Sequence, residues 1–185
     1  MTRFGYVSLI CLMTMGVAAS ALTETPKKLI WNASASAPIG LYSIEPADRL
    51  EMTDLVAIDA PEPLARFLAE RRYLPPGVPL MKRIAGLPGQ QVCRLTSVIT
   101  VDGIAMGVAL ERDRRGRDLP VWQGCQRIAD GEVFLMNWET RDSLDGRYFG
   151  PLPANSIIGR AVPLWTDEDG SGRYEWRART DWPDN

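Results

Sequence analysis

The chain of 185 residues contains no histidine. A Ser-His-Asp triad and a Cys-His pair are therefore excluded. So are the zinc-protease helix with its two histidines and the other His-containing zinc sites. Cysteine is scarce: three scattered residues, Cys11, Cys93 and Cys125, do not make a four-thiolate site. An excess of charge of one sign is lacking as well. The formal net charge is −2 and no basic patch stands out, so nucleic-acid binding has no electrostatic support. Nothing in the sequence calls for a cofactor or a metal. For hydrolysis there remain serine–lysine chemistry, paired carboxylates, or an imported metal.

What is present fits one ordinary domain. The apolar fraction of 45% and the charged fraction of 24% are globular values. The length allows a sizeable core but not two large domains. Arg3 precedes Phe4 to Leu22, nineteen residues without a charge. As a helix they would reach roughly 28 Å, near the thickness of a bilayer core. Ala19-Ser20-Ala21 resembles a small-x-small leader cleavage site. Residues 1–23 are thus read as a cleaved signal peptide or as an uncleaved transmembrane anchor. Both send the rest of the chain out of the cytoplasm, although Lys27 and Lys28 weaken the charge argument for orientation. Cys11 lies inside the apolar segment. In an oxidising compartment Cys93 and Cys125 could pair; the alternative is two unrelated buried thiols.

Short strands with Gly and Pro turns dominate the remainder. Strands are expected at Asp54 to Ile58, around Lys82, at Val92 to Leu95, at Glu132 to Met136 and at Ile157 to Leu164. Ser97 to Val101, Asp102-Gly103 and Ile104 to Met106 read as a hairpin, because Asp-Gly suits a type I′ turn. Pro63 to Leu74 reads as a helix, with Leu64, Phe67, Leu68 and Leu74 on one stripe, stopped by Pro75-Pro76-Gly77. Glu111 to Asp118 reads as a solvated, charged loop. The result is a mostly β domain over residues 28–165 with one short helical insertion. Residues 166–185 are acidic and turn-rich and are expected to fray, with no role evident for Trp176 and Trp182.

Lys82 is the most informative side chain. In a strand, Leu80, Lys82 and Ile84 share one face. An amine flanked by two aliphatics on a core-directed face loses hydration as an ammonium, which favours its neutral form. Neutral lysine is a general base or a nucleophile. The bland reading is a lysine that snorkels to water. Ser-Lys chemistry also needs a serine. Ser36 lies in Ser34-Ala-Ser36-Ala-Pro38-Ile-Gly40-Leu-Tyr42, where Pro38 and Gly40 impose an irregular backbone. Small neighbours at Ala35 and Ala37 leave room for a substrate backbone. The bland reading there is an ordinary turn.

Together the two segments resemble one family. Ser36-Ala-Pro38-Ile-Gly40-Leu-Tyr42 is similar to the nucleophile box of the conjugative-transfer signal peptidases (the TraF type), a branch of the type I signal peptidases. Leu80-Met-Lys82-Arg83-Ile-Ala-Gly86-Leu-Pro88-Gly89 is similar to their general-base box. Asp142-Ser143-Leu-Asp145-Gly-Arg147-Tyr-Phe-Gly150, followed by Ile158-Gly159-Arg160-Ala161, resembles a third. The three boxes occur in family order between about Ser34 and Ala161, behind the N-terminal apolar segment.

The resemblance implies a signal-peptidase-like β domain with Ser36 as nucleophile and Lys82 as general base. It implies that the Ser34 hydroxyl and the Ser36 backbone N–H hold the oxyanion. Ser143 would orient the lysine, and Asp145 with Arg147 would form a structural ion pair behind the site. The bland readings are turn capping for the serines and a surface pair for the two charges, worth about 0–1 kcal/mol. The implied activity is processing of pilin precursors for conjugative plasmid transfer and pilus assembly, by hydrolysis or by aminolysis that joins the pilin's ends. The implied setting is the periplasm, or the inner membrane with the catalytic domain facing the periplasm, among other conjugation proteins. Departures exist. Phe134-Leu-Met-Asn137-Trp138-Glu139 stands where housekeeping enzymes carry a Gly-Asp-Asn-type stretch, and Pro38 follows Ser36 by two residues. Both favour the conjugative branch over a general leader peptidase. A non-catalytic structural component of the transfer machinery is the rival reading; it would tolerate Lys82→Arg, whereas a general base would not.

Overall fold

The computed structural model describes residues 3–21 and 28–178. Helix α1 spans Arg3–Ala21, and its apolar side chains, such as Phe4 and Ile10, are exposed. Among the described residues no helix is long and apolar enough to cross a membrane. The strands that follow are β1 (Leu29–Asn32), β2 (Ile39–Glu45) and β3 (Leu55–Ile58). Helix α2 (Glu62–Glu70) is inserted before β4 (Leu80–Gly86). Then come β5 (Gln91–Leu95), β6 (Val98–Val101), β7 (Ile104–Val108), β8 (Gly124–Arg127) and β9 (Glu132–Leu135). A single helical turn, α3 (Gly146–Phe149), precedes β10 (Leu152–Pro153), the long β11 (Ile157–Asp167) and β12 (Glu175–Trp176).

Two antiparallel sheets result. The larger runs β1-β2-β11-β3-β4-β9-β10, with β12 added to β11; the smaller runs β7-β6-β5-β8. Strands β4 and β9 are covered on both faces. Ile84, Val133 and Leu135 pack with Val56 and Ile58 on one side. Ala85, Phe134 and Met136 pack with Val92, Ile99, Val101 and Ile128 of the smaller sheet on the other. A strand buried on both faces has no wet side, so Lys82, in its middle, has little water to reach. Cys93 and Cys125 sit opposite one another on β5 and β8 and are joined by a disulfide, with Cα atoms 4.0 Å apart.

The hairpin is formed as expected, and several other expectations change in detail. The Asp102-Gly103 turn adopts positive φ at both residues, 48° and 81°, as its type requires. Helix α2 stops earlier than its apolar stripe suggested, because Arg72 takes a φ of 56° ahead of the prolines. The charged excursion at Glu111 to Asp118 is ordered: Tyr73 hydroxyl donates to Asp113, and Arg117 Nη1 donates to Arg71 O at 2.8 Å. The segment from Thr166 does not begin a frayed end. It completes β11 and returns as β12, while residues 179–185, with Trp182, lie outside the described residues. The reason is aromatic. Trp31, Leu41, Trp165 and Trp176 stand directly opposite one another across β1, β2, β11 and β12. Tyr174 closes over this row, 4.7 Å from Trp165 and 6.0 Å from Trp31 between ring centres. Cross-strand aromatic pairs of this kind hold short strands in place.

Gly40 lies inside β2 rather than in a turn. Its φ is +152°, and a Cβ there would stand 2.2 Å from Trp165 O on β11. Gly40→Ala is expected to lower stability by about 2–4 kcal/mol in urea denaturation. An unchanged midpoint would show that the two strands do not approach this closely.

Candidate active site

The segment that carries Ser36 is a tight loop between β1 and β2. Asn32, buried at the end of β1, organises it. Its Nδ2 donates to the carbonyls of Ser34 (2.9 Å), Ala37 (3.1 Å) and Pro38 (2.9 Å), and its Oδ1 accepts from Ser34 N at 3.0 Å. Tyr42 pins the far side, its hydroxyl donating to Pro38 O at 2.7 Å. Burial, then the nearby Glu168 carboxylate, raises the Tyr42 phenol well above its ordinary value, with Arg83 opposing, so it remains a donor. Neither Asn32 nor Tyr42 was singled out in the sequence. The signal in hindsight is an asparagine at the start of a Ser-Pro-Gly stretch, where its amide can satisfy several loop carbonyls at once.

Lys82 reaches this loop from β4. Its Nζ lies 3.3 Å from Ser36 Oγ and donates to Ser143 Oγ at 3.0 Å. The residue is 5% exposed. Loss of hydration lowers its amine from 10.5 to about 8; the Asp145 carboxylate pushes the other way and the Arg147 guanidinium adds to the lowering. An amine in that state holds a usable neutral fraction near neutral pH, within reach of a hydroxyl.

Ser34 and Ser36 also meet. Their hydroxyl oxygens are 3.0 Å apart, and Ser36 N donates weakly to Ser34 Oγ at 3.4 Å. The two groups expected to hold an oxyanion therefore lie together beside the Ser36 hydroxyl.

Asp145 and Arg147 are no surface pair. Both are buried, at 4% and 1% exposure, and bind through two bonds: Nε to Oδ1 at 2.9 Å and Nη2 to Oδ2 at 2.8 Å. A buried ion pair is justified only when its remaining hydrogen-bonding capacity is filled. Arg147 fills it with the backbone of the segment before it, donating from Nη2 to Thr140 O (2.7 Å) and Ser143 O (3.3 Å) and from Nη1 to Arg141 O (3.1 Å). The pair thereby fixes the loop whose Ser143 touches Lys82. Asn137, noted in the sequence only for its departure from the family pattern, also lies here, buried between the Ser36 loop and β4. Cys93 and Cys125 are not in this cluster; they belong to the smaller sheet. Among the described residues no group of three or more potential metal-ligating acidic or cysteine side chains gathers.

Residues 1–165 match the family described as signal peptidase, peptidase S26. A conjugal transfer protein TraF of Agrobacterium fabrum is 32% identical over 147 residues, covering 73% of this chain and 81% of that protein. A plasmid transfer protein TraF of Escherichia coli is 29% identical over 174 residues, covering 86% of this chain and 91% of that one. A crystal structure of a signal peptidase I from Enterococcus faecalis V583 overlaps loosely, with a TM-score of 0.37 and 19% identity over 64% of this chain and 98% of that one. The chain belongs to the signal peptidase S26 family, among its conjugal-transfer members.

Proposed function

We propose that the chain is a serine endopeptidase with a Ser36–Lys82 dyad that processes pilin precursors for conjugative transfer and pilus assembly. The observation that carries this is the 3.3 Å approach of a buried, neutralisable amine to the Ser36 hydroxyl. Neutral Lys82 takes the Ser36 proton as Oγ bonds to the scissile carbonyl carbon. The carbonyl oxygen gains the charge and is met by the Ser34 hydroxyl and the Ser36 N–H. When the C–N bond breaks, the Lys82 ammonium returns the proton to the leaving amine. The acyl-enzyme that remains is an ester on Ser36. Water gives hydrolysis, its proton passing to Lys82 and then back to Ser36 Oγ. The substrate's own amino terminus, attacking in water's place, gives a new peptide bond and a closed ring. Ser143 holds the amine on target in every step.

The same reading locates the catalytic domain outside the cytoplasm, in the periplasm or against its inner membrane. The run without charge from Phe4 to Ala21 and the exposed row of Trp31, Trp165 and Trp176 support it, since aromatic side chains collect where membrane meets water. Pilin precursors are the protein partner, other conjugation proteins are neighbours, and nucleic acid is not.

Three results are expected. With a pilin precursor, the full-length chain in detergent yields a trimmed product by mass, and Ser36→Ala and Lys82→Ala each abolish it; a further loss of one water marks ring closure. Variants that cut like the parent would leave the structural-component reading instead.

The pH dependence follows from Lys82. kcat/KM should rise about tenfold per pH unit up to a midpoint near 8 and level off above it. A flat profile from pH 6 to 9 would exclude a lysine base.

The third concerns stability. The folded-state value of Lys82 lies below the unfolded 10.5, so between about 8 and 10.5 the unfolded chain binds more protons. Burial of Lys82 therefore costs about 3 kcal/mol below pH 8, a penalty that fades as pH rises towards 10.5. Lys82→Met should abolish activity yet raise stability at pH 7 by about 1–3 kcal/mol, with a smaller gain at pH 10. A loss of stability at pH 7 would contradict a desolvated lysine.

A further inference from the structure

Asn137 begins where β9 leaves β4. The ladder between those strands pairs Ile84 with Leu135, and Met136 N still donates to Arg83 O at 2.9 Å. Beyond that point the chain turns away towards Thr140, and β4 would be left with an unpaired N–H at Arg83 and an unpaired carbonyl at Met81 on that side. The Asn137 side chain takes the place of the missing strand. Its Oδ1 accepts from Arg83 N at 3.0 Å, and its Nδ2 donates to Met81 O at 3.1 Å. A primary amide presents one acceptor and two donors, so it can mimic a peptide unit and keep one N–H spare. That second N–H goes to Ser36 O at 2.6 Å. The amide is thus bonded to the residue before Lys82, the residue after it, and the nucleophile itself.

The backbone of Asn137 is fixed as well. Its N donates to Asp145 Oδ2 at 3.1 Å, and its O accepts from Arg147 Nη2 at 3.2 Å. The residue is 4% exposed. Thr140 Oγ1, at 3.5 Å, is a weak second donor to Ser36 O. The bond from Lys82 to Ser143 aims the amine but does not hold Ser36 against it. Asn137 does, because it ties the Ser36 backbone to the β4 backbone that carries Lys82.

We propose that Asn137 is a positioning residue for acylation, a clamp that sets the separation between Ser36 Oγ and Lys82 Nζ. This rests on the reading of those two residues as nucleophile and base. Aspartate cannot replace it, since a carboxylate oxygen would face the Ser36 and Met81 carbonyls. Alanine removes the clamp without adding charge.

The test is single-turnover cleavage by the full-length chain in detergent, with enzyme in excess. The probe is an internally quenched peptide that spans the cut found with the pilin precursor. A fall in the folded fraction shifts the enzyme concentration needed for half-maximal rate but not the rate at saturation. A misplaced nucleophile lowers the saturated rate itself. At a pH above the Lys82 midpoint, Asn137→Ala and Asn137→Asp should each lower the saturated rate on the order of 10²-fold. The half-saturating concentration should stay within about threefold of the parent per folded molecule. The pH midpoint should hold for Asn137→Ala and rise for Asn137→Asp, whose added carboxylate favours the ammonium. A saturated rate equal to the parent's in either variant overturns the clamp. So does a loss in Asn137→Ala that disappears at high pH, because Asn137 would then act on the base's proton affinity rather than on distance. If neither variant folds, Asn137 is a stability residue and the clamp is likewise overturned. Ser36→Ala separates the two claims: if it still cuts, or the parent does not, the dyad fails; if it is dead while the Asn137 variants match the parent, only the clamp fails.

Discussion

Everything at the site depends on keeping the Lys82 amine out of water. An ammonium in bulk solvent cannot accept the proton of a serine hydroxyl, and the chain has no imidazole to do so instead. The fold solves this by covering β4 on both faces, with the Val56–Ile58–Ile84 cluster on one side and the smaller sheet on the other. The penalty of burying the amine falls on the folded state, and the two apolar clusters packed around β4 supply the burial that offsets it. If Lys82 is the base proposed above, it is a place where local stability and activity oppose one another.

Around that amine the structure builds three fixed supports, one at the end of β1 and two in the segment from Asn137 to Arg147. Asn32 shapes the Ser36 loop from the end of β1. Arg147, neutralised by Asp145, holds the loop that presents Ser143. Asn137 joins the Ser36 loop to β4. Each uses a buried polar side chain whose hydrogen-bonding capacity is directed at backbone, which rigidifies a small site without relying on a large cavity.

Part of this was legible in the sequence. The β4 strand and the placement of Lys82 followed from alternation, and the β6–β7 hairpin followed from Asp102-Gly103. Strands β1 and β2 were not read, because the Ser-Ala-Pro segment between Leu29–Asn32 and Ile39–Glu45, followed by Gly40, suggests only irregular backbone. The site reading came from three boxes in order rather than from any one residue. Arg147 was expected behind the site, but its near-complete burial was not legible, since charged residues are seldom fully covered. The return of β12 onto β11 was missed because its acidic, turn-rich sequence hides the pairing of Trp176 with Trp165. Asn137 had no sequence signal of its own: whether an asparagine amide substitutes for a strand depends on where the neighbouring ladder ends, which is a property of the fold.

The central claim is that Lys82 is a neutral base because it is desolvated, and its amine can be titrated directly. The chain would be labelled with nitrogen-15 on its lysines, and the Nζ signal that vanishes in Lys82→Met would be followed from pH 6 to 11. A midpoint near 8 is expected. A midpoint near the ordinary 10.5 would mean that the amine stays charged where the protein works, and the Ser36–Lys82 dyad would have no base.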